Sequence, residues 1–564
     1  MLNFFDYEVS KYDWLVVIIN PVERTETVIY NDKKKLQEYH EAHENEIWIG
    51  YNNRRYDQYI HKGILLGYNP KKINDHIIVD KKYGYQFSSL FNKIKMINFD
   101  TMLGTDTGLK SLEGFMGNDI RETTVPFDID RKWTTDELNQ MIYYCRHDVE
   151  QTIEVFMARK AEFDTAIALV KIFNLPFDYI GKTGAQRVAK ILGGRGLKFD
   201  DEFEFTIVDT LRLSKYKHIA DWYRNPVNHD YKKKQKVIIA GVPHTLAWGG
   251  IHGAIKQYYG KGIFLMADVT AYYPSLQIEY KFGYRNMGNP ENFEKIHNEN
   301  LRYKELGDKV ARMPYKIADN AISGQLKDEY SPLYDPRENN AVCVNGQLLL
   351  VDLIEKLESV GKLIQSNTDG VLFKLERIDD FELFDDIVWE WEQRTGMRMG
   401  FDIYTEVYQK DVNNYLLVAP DGKTKTKGAY TKSLSKIDFD LPIINKALVD
   451  YMTKKIPVQQ TINECDDLIM FQKIVKLSGK YWRAWHNNKF MSEKCYRVFA
   501  SKDNDTYIGK CKQQGATIEK FANTPDKCFI DNTNINGKKV PRNLDKSWYI
   551  NLAKLRLEQY GVIV

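Results

Sequence analysis

Short apolar runs recur through the first hundred residues: WLVVIIN, EIWIGY, HIIVD and KMINFD alternate with polar or helical stretches. That alternation predicts an α/β arrangement. From about 135 to 172 the period becomes helical. Thr134 and Glu137 form a capping-box pattern there, and Leu138, Met141, Cys145, Val149, Ile153 and Phe156 mark one buried face. The stretch 198–245 reads as a connector with a basic run at 232–236. A glycine-rich patch, WGGIHGA, and a strand, GIFLMADV, come next. Two helical pieces fall near 290–328. A helix, QLLLVDLIEKLESV, then leads into a strand-turn-strand, KLIQSNTDGVLFKL, and the remaining C-terminal residues mix helices with short strands.

Length changes this picture by dividing it: 564 residues imply roughly three to five domains of about 100–200 residues each. Hydrophobic residues make up 43%, which excludes wholesale disorder. The formal charge of +3, from 80 basic and 77 acidic residues, neither reveals nor excludes a nucleic-acid channel, because such a channel concentrates charge locally. Cysteines stand at 145, 343, 465, 495, 511 and 528 with no CxxC, so no zinc module is expected. The start, MLNFFDYEVSKYDW, lacks a signal-peptide pattern, and no apolar run reaches about 18 residues. A soluble cytoplasmic protein with reduced thiols and no membrane partner is expected.

Two sets of acids carry the candidate chemistry. Asp6 and Glu8 lie two apart, so on a strand both carboxylates face one cation. Asp57 follows the short strand EIWIGY, in GYNNRRYDQYI. Tyr144 and Asp148 are four apart and share one helical face. Singly, each of these is commonplace. Together, Asp6-Tyr-Glu8, Asn52…Tyr56-Asp57 and Tyr144…Asp148 resemble the DxE, Nx3(F/Y)D and Yx3D motifs of DEDDy 3′–5′ exonuclease domains, in the same order. The resemblance implies a two-metal phosphodiester hydrolase. Asp6, Glu8, Asp57 and Asp148 would hold the metals, Tyr144 would position the water, and Asn52 would contact DNA.

In the second set, Asp268 ends an apolar strand and Asp369 lies in a turn. The segment Asp268 to Ser275 resembles motif A of family B DNA polymerases. Lys316 to Gly324 resembles motif B, and Asn367-Thr-Asp369-Gly370 resembles motif C. Upstream, WGGIHGA (248–254) is similar to the Gly-Gly motif joining exonuclease to palm. Downstream, KTKGAY (425–430) is similar to the lysine motif that holds the primer end. The resemblance covers nearly the whole chain. It implies an RNase H-like exonuclease domain followed by a right-hand polymerase, an α/β and α+β multidomain architecture. The implied divisions are 1–172 exonuclease, 173–240 connector, 241–290 and 331–430 palm, 291–330 fingers, and 431–564 thumb and C-terminal region. It also implies two Mg²⁺ ions per site, with Mn²⁺ able to substitute. Asp268, Asp369 and the Val269 carbonyl would hold the polymerase pair. Lys316, Asn320, Arg312 and Lys304 would bind the triphosphate and Tyr273 the sugar, while Gly249, Gly250, Lys427 and Tyr430 would contact DNA.

Departures temper this. Asn367 stands where motif C usually has Asp, Ala321 and Ser323 replace the Ser and Tyr of motif B, and Ala271 replaces Ser in motif A. Only 48 positions separate Asp268 from Lys316, and 53 separate Lys316 from Asp369, which is room for one short helical hairpin. Insertions that would grip a terminal protein have no space. The expected partners are therefore primer-template DNA and dNTPs, without a terminal protein, for a monomeric phage-type enzyme in the host bacterial cytoplasm. The competing expectation is a DEDDy exonuclease whose polymerase half only holds DNA, with a non-catalytic binder as a weaker third.

Overall fold

A computed structural model describes residues 1–102 and 107–563. They form two compact units of mixed α/β structure: Met1–Thr183 with Leu434–Pro442 and Cys465–Trp548, and Gly184–Ser433 with Ile443–Glu464 and Tyr549–Val564.

The first unit is built on a five-stranded sheet. Its strands are β1 (Leu2–Val9), β2 (Trp14–Asn20), β3 (Thr25–Tyr30), β4 (Ile47–Gly50) and β5 (Ile97–Asp100), in the order β3-β2-β1-β4-β5. β1 runs antiparallel to β2 and parallel to β4. Both faces are covered, so β2 (WLVVIIN) reads as a nearly continuous apolar run rather than a clean alternation. Phe4, Leu15, Val17 and Phe99 pack on one side against Met141, Cys145, Val149 and Phe156 of helix Thr135–Ala158. Phe5, Tyr7, Val16 and Trp48 pack on the other against Ile60 and Ile64 of helix Asp57–Leu65. The capping box forms as the sequence predicts, Thr134 accepting from Glu137 N–H.

The single helix expected over 135–172 is two helices, Thr135–Ala158 and Lys160–Ile172. Arg159, between them, leaves helical geometry (φ −111°, ψ 14°), and its guanidinium donates to the Thr101 carbonyl at 2.6 Å.

The segment Cys465–Trp548 folds as short strands within this unit. The stretch 431–564 therefore divides between the two units. Arg497, fully buried, explains the attachment. It donates to Gln472 Oε1 (3.0 Å) and to the carbonyls of Asp531 (3.1 Å), Thr533 (2.6 Å), Gly114 (3.2 Å) and Asn118 (2.7 Å). Burial pulls its pKa down to about 10, leaving it a cation at neutral pH.

The second unit carries a nine-stranded sheet: β6 (Gln235–Ile239), β7 (Val242–Leu246), β8 (Ile251–Ala254), β9 (Tyr258–Val269), β10 (Lys362–Ser366), β11 (Gly370–Leu375), β12 (Met399–Asp411), β13 (Asn414–Val418) and β14 (Thr424–Lys427). Their order is β14-β13-β12-β9-β11-β10-β8-β7-β6. Part of the stretch expected as a connector is thus sheet. β6 and β7 form a hairpin whose two turn residues, Ala240 and Gly241, both have positive φ (48° and 78°), as a type I′ turn requires. Leu265, Ala267 and Val269 pack on the buried helix Pro336–Leu357. Phe264 and Met266 face the opposite side with Tyr404 and Tyr415. The helical pieces near 290–328 are an antiparallel pair, Pro290–Glu305 and Lys309–Gln325.

Replacing Arg497 with Met would leave four backbone carbonyls and one amide oxygen without their buried donor. Urea or thermal unfolding of the first unit is expected to show a loss of about 3–5 kcal/mol; an unshifted transition would contradict this account.

Candidate active sites

In the first unit, strand alternation puts Asp6 and Glu8 on the β1 face that meets helix Thr135–Ala158. Asp57 opens its helix, and its Oδ1 accepts the Tyr7 N–H at 3.2 Å, midway between Asp6 and Glu8 along the strand. The same helix is held to β1 by Tyr7 Oη and His61 Nδ1, hydrogen-bonded at 2.8 Å. Asp148 and Tyr144 come from the long helix. Asn52, with φ 60°, gives its N–H to Asp100 at 2.9 Å, which shapes the loop leading to Asp57. All four expected acids thus meet.

Residues that sequence reasoning did not single out as site groups join them. Lys110 Nζ is paired with Asp148, bonds Glu113 at 3.0 Å, and lies 4.6 Å over the Tyr144 ring. Cys145, expected only as a core residue, presents its sulfur with Asp6 and Glu8 so that all three ligand atoms lie within 4.8 Å. Glu113, His147 and Asp148 form a similar group. The signal for Cys145 was its place between Tyr144 and Asp148. Lys110 and Glu113 had none, since nothing in the chain pattern ties 110 to 148.

Burial followed by mutual repulsion dominates the electrostatics. Asp6 is raised by burial and then by Asp57; Glu8 is raised by burial and then by Asp148. Burial lifts Asp57 to about 7 against the N–H bond from Tyr7, and lifts Asp148 to about 6 against the charge of Lys110. Burial and then Asp148 raise Tyr144, so its phenol keeps its proton. Burial alone would lower Lys110, but Asp148 and Glu113 outweigh it and the net shift is upward. Oxygen donors this close, in a protein pocket that resists their ionisation, match the needs of a hard divalent cation.

In the second unit, β9 pairs with β11 so that Gly370 lies opposite Asp268. A Cβ at 370 would come within 2.0 Å of Asp268 Oδ1, so only glycine leaves space for that carboxylate. Asp369 precedes it, and Val269 N–H donates to the Asp369 carbonyl at 2.7 Å. Although Asp369 is exposed, the surrounding protein and then Asp268 raise its pKa. Asn367 Oδ1 accepts the Asp369 N–H at 3.1 Å. The residue that departs from motif C therefore shapes the turn, a task needing only a side-chain oxygen.

Lys425 Nζ is paired with Asp268 and lies 3.7 Å from Asp402. Neither Lys425 nor Asp402 was an expected site residue, yet Lys425 and the expected Lys427 are i and i+2 on β14 and so share a face. Asp268 thus lies against a cationic group, and carboxylate oxygens such as those of Asp268, Asp369 and Asp402 are the donor type that a hard divalent cation takes.

Beside them, a cleft of about 400 Å³ gathers Tyr273, Lys304, Arg312, Lys316, Asn320 and Asp369. Lys304 Nζ bonds Thr270 Oγ1 at 3.0 Å, and Arg312 Nε bonds Asn300 Oδ1 at 2.9 Å. Burial and then Arg312 lower the Lys304 pKa. Ala271, in the left-handed region at φ 47°, turns the chain from β9 into the helix bearing Tyr273. Tyr273 Oη donates to the Gly249 carbonyl at 2.9 Å, and a Cβ on Gly250 would press on Thr368 at 3.3 Å. The glycine patch is thereby drawn to both the cleft and the Asp369 turn. Tyr430 stands against Arg556 at 4.3 Å and Lys410 at 5.9 Å.

No protein-family model matches the chain. Over 219 residues it is 26% identical to DNA polymerase 1 of Sulfurisphaera ohwakuensis, a stretch that is 36% of this chain and 23% of that protein. The chain thus spans less than a quarter of that relative's length. Among solved structures it is similar to the family B DNA polymerase from the hyperthermophilic archaeon Pyrobaculum calidifontis, with TM-score 0.43 and 13% identity, over 100% of this chain and 78% of that one. Among the described residues no helix is long and apolar enough to cross a membrane.

A carboxyl whose folded pKa is raised contributes stability that is complete below its unfolded value and lost as pH rises through its folded value. With Asp57 at about 7 and Asp148 at about 6, chelated protein is expected to lose thermal stability as pH rises from about 4 to 7. Added Mg²⁺ should restore it at higher pH. Calorimetry with and without EDTA checks this, and Asp57→Asn should flatten the chelated slope. Equal slopes in wild type and variant would refute it.

Proposed function

We propose that the chain is a family B, template-directed DNA polymerase that extends a primer from dNTPs and proofreads with its own 3′–5′ exonuclease. The observation that carries this is the juxtaposition of Asp268 on β9 and Asp369 in the turn leading into the paired β11, beside a cleft lined by Lys304, Arg312 and Lys316. Carboxylates alone would suit many cations. Carboxylates next to three convergent basic groups suit a cation bound with a polyphosphate. The named relative is itself a DNA polymerase, which supports the same reading.

In this reading the first unit contains an RNase H-like exonuclease domain, and the second holds the palm around the nine-stranded sheet with the Pro290–Glu305 and Lys309–Gln325 pair as fingers. Thumb function falls to parts of 431–564. The short fingers and lack of extra insertions suit replication of a phage genome by a monomer without a terminal protein.

Asp268, Asp369 and the Val269 carbonyl would hold the cations of synthesis, and Asp6, Glu8, Asp57 and Asp148 those of excision. Magnesium, with manganese able to substitute, would supply the charge neutralisation at phosphate oxygens that phosphoryl transfer needs. Lys316, Lys304 and Arg312 would bind the triphosphate, with Asn320 beside them. Tyr273, fixed through its hydroxyl to Gly249, would present its ring to the sugar and leave no space for a 2′-hydroxyl. Gly249, Gly250, Lys427 and Tyr430 would follow the primer-template backbone. At the excision centre, Tyr144 keeps its proton and can donate to the attacking water, while Lys110 would meet the phosphate that Asp148 also serves.

One observation favours a second reading, a DEDDy exonuclease with a DNA-holding polymerase half. Asn367 replaces the first Asp of motif C, and Ala321 and Ser323 replace the Ser and Tyr of motif B, so the polymerase half lacks groups that the family's motifs carry. Primer extension with and without dNTPs separates the two readings, since degradation without any extension would establish the second.

Asp369→Ala is expected to lower extension at least a thousandfold, roughly, while leaving excision, and Asp6→Ala with Glu8→Ala to do the reverse. Loss of both activities from either change, in folded protein, would break the two-centre assignment. Tyr273→Ala should raise ribonucleotide incorporation by about tenfold or more; single-nucleotide insertion kinetics measure it, and unchanged discrimination would remove Tyr273 from sugar selection.

A further inference from the structure

A cleft of about 420 Å³ in the first unit lies against the candidate excision centre. Two of its lining residues belong to both: Lys110, whose Nζ is paired with Asp148, and Tyr144, which shares a helical face with Asp148. The rest comes from two separate parts of the chain. Phe127 supplies an exposed ring from the loop before the long helix. Lys476 and Lys494 come from the Cys465–Trp548 segment, more than 300 positions further on.

That second contribution is held in place. Glu122 Oε1 accepts the backbone N–H groups of Lys494 (2.8 Å) and Cys495 (3.2 Å), so its carboxylate is engaged by the protein. The Cys495 thiol donates to the carbonyl of Lys110 itself at 3.5 Å. Lys476 Nζ reaches over Gly108, where a Cβ would come within 2.5 Å of it. Lys476 and Lys494 are both exposed, and neither pairs with a carboxylate among the described residues. Two ammonium groups without an ion pair, an exposed aromatic ring and a cleft lying against the candidate excision centre form one arrangement. It fits a single strand, whose phosphates meet cations while its bases stack, better than a duplex.

We infer that this cleft takes the single-stranded DNA adjoining the scissile phosphate, with Lys476 and Lys494 as phosphate contacts and Phe127 as a stacking surface. The inference rests on the exonuclease reading above. It gives the Cys465–Trp548 segment a role in substrate capture for excision that no motif in the chain announces.

The test compares two substrates on the full chain: a labelled single-stranded dT15, which can fill the cleft, and thymidine 5′-(p-nitrophenyl phosphate), which cannot extend into it. For Lys476→Ala with Lys494→Ala, the ratio of kcat/KM for dT15 to that for the small substrate is expected to fall about tenfold, with the loss in KM. The dependence of log KM on log salt should weaken by roughly 1.4, about 0.7 for each single-strand phosphate that a lysine no longer neutralises. Lys476→Arg with Lys494→Arg keeps the charges and should keep both the ratio and the slope. An unchanged ratio and slope in the alanine variant, with wild type cleaving both substrates, would overturn the inference alone. Cleavage of neither substrate by wild type would instead overturn the exonuclease reading, and the inference with it.

Discussion

Like charges held at short range are the constraint on which both candidate centres depend. Two carboxylates about 4 Å apart repel by roughly 4 kcal/mol at a protein-like dielectric. A whole domain is typically stable by only about 5–15 kcal/mol. Neither acid cluster is tolerable without compensation, and each has a lysine laid on it: Lys110 on Asp148 and Glu113, Lys425 on Asp268 and Asp402. The carboxylates answer in the same sense. Asp57 and Asp148 hold protons up to about 7 and 6, and Asp369 is raised as well. A site that stabilises itself by lysine and by protonation is one in which a divalent cation has much to offer.

Frames that can bear this repulsion are stiff. β1 is sandwiched between two apolar layers, so Asp6 and Glu8 cannot swing away from Asp148 without unpacking Phe4 from Phe156. β9 is an interior strand of its sheet, hydrogen-bonded on both sides by β11 and β12, which fixes Asp268 against the Asp369 turn. Strain is confined to a few residues at the edge of this frame. Ala271 takes a left-handed conformation to start the helix carrying Tyr273, and the glycine at 370 makes way for a carboxylate.

Two of the substituted positions in the polymerase-like motifs have local structural partners. Asn367 keeps the acceptor oxygen that closes its turn, and Ser323 is tied to Gln277 of the neighbouring helix. Both serve local shape. The metal-facing acids and the basic side chains of the cleft are untouched by those changes.

Along the chain, local periodicity determined a great deal. The two-residue spacing of Asp6 and Glu8, the apolar strand that ends at Asp268, the capping box at Thr134, and the four-residue spacing of Tyr144 and Asp148 all depend on neighbours within one turn or one strand. The order of those short patterns sufficed to propose two centres. What only the tertiary structure decided involves residues far apart in sequence. Lys110 meets Asp148, Lys425 meets Asp268, and Arg497 gathers carbonyls near 114–118, so the Cys465–Trp548 segment joins the first unit rather than forming a continuous C-terminal region. A lysine or arginine carries no periodic signature, and its partner is fixed by sheet register and burial. The carboxylates were legible because strands and helices place them, whereas the cations that compensate them were not, because only the completed packing brings those charges together.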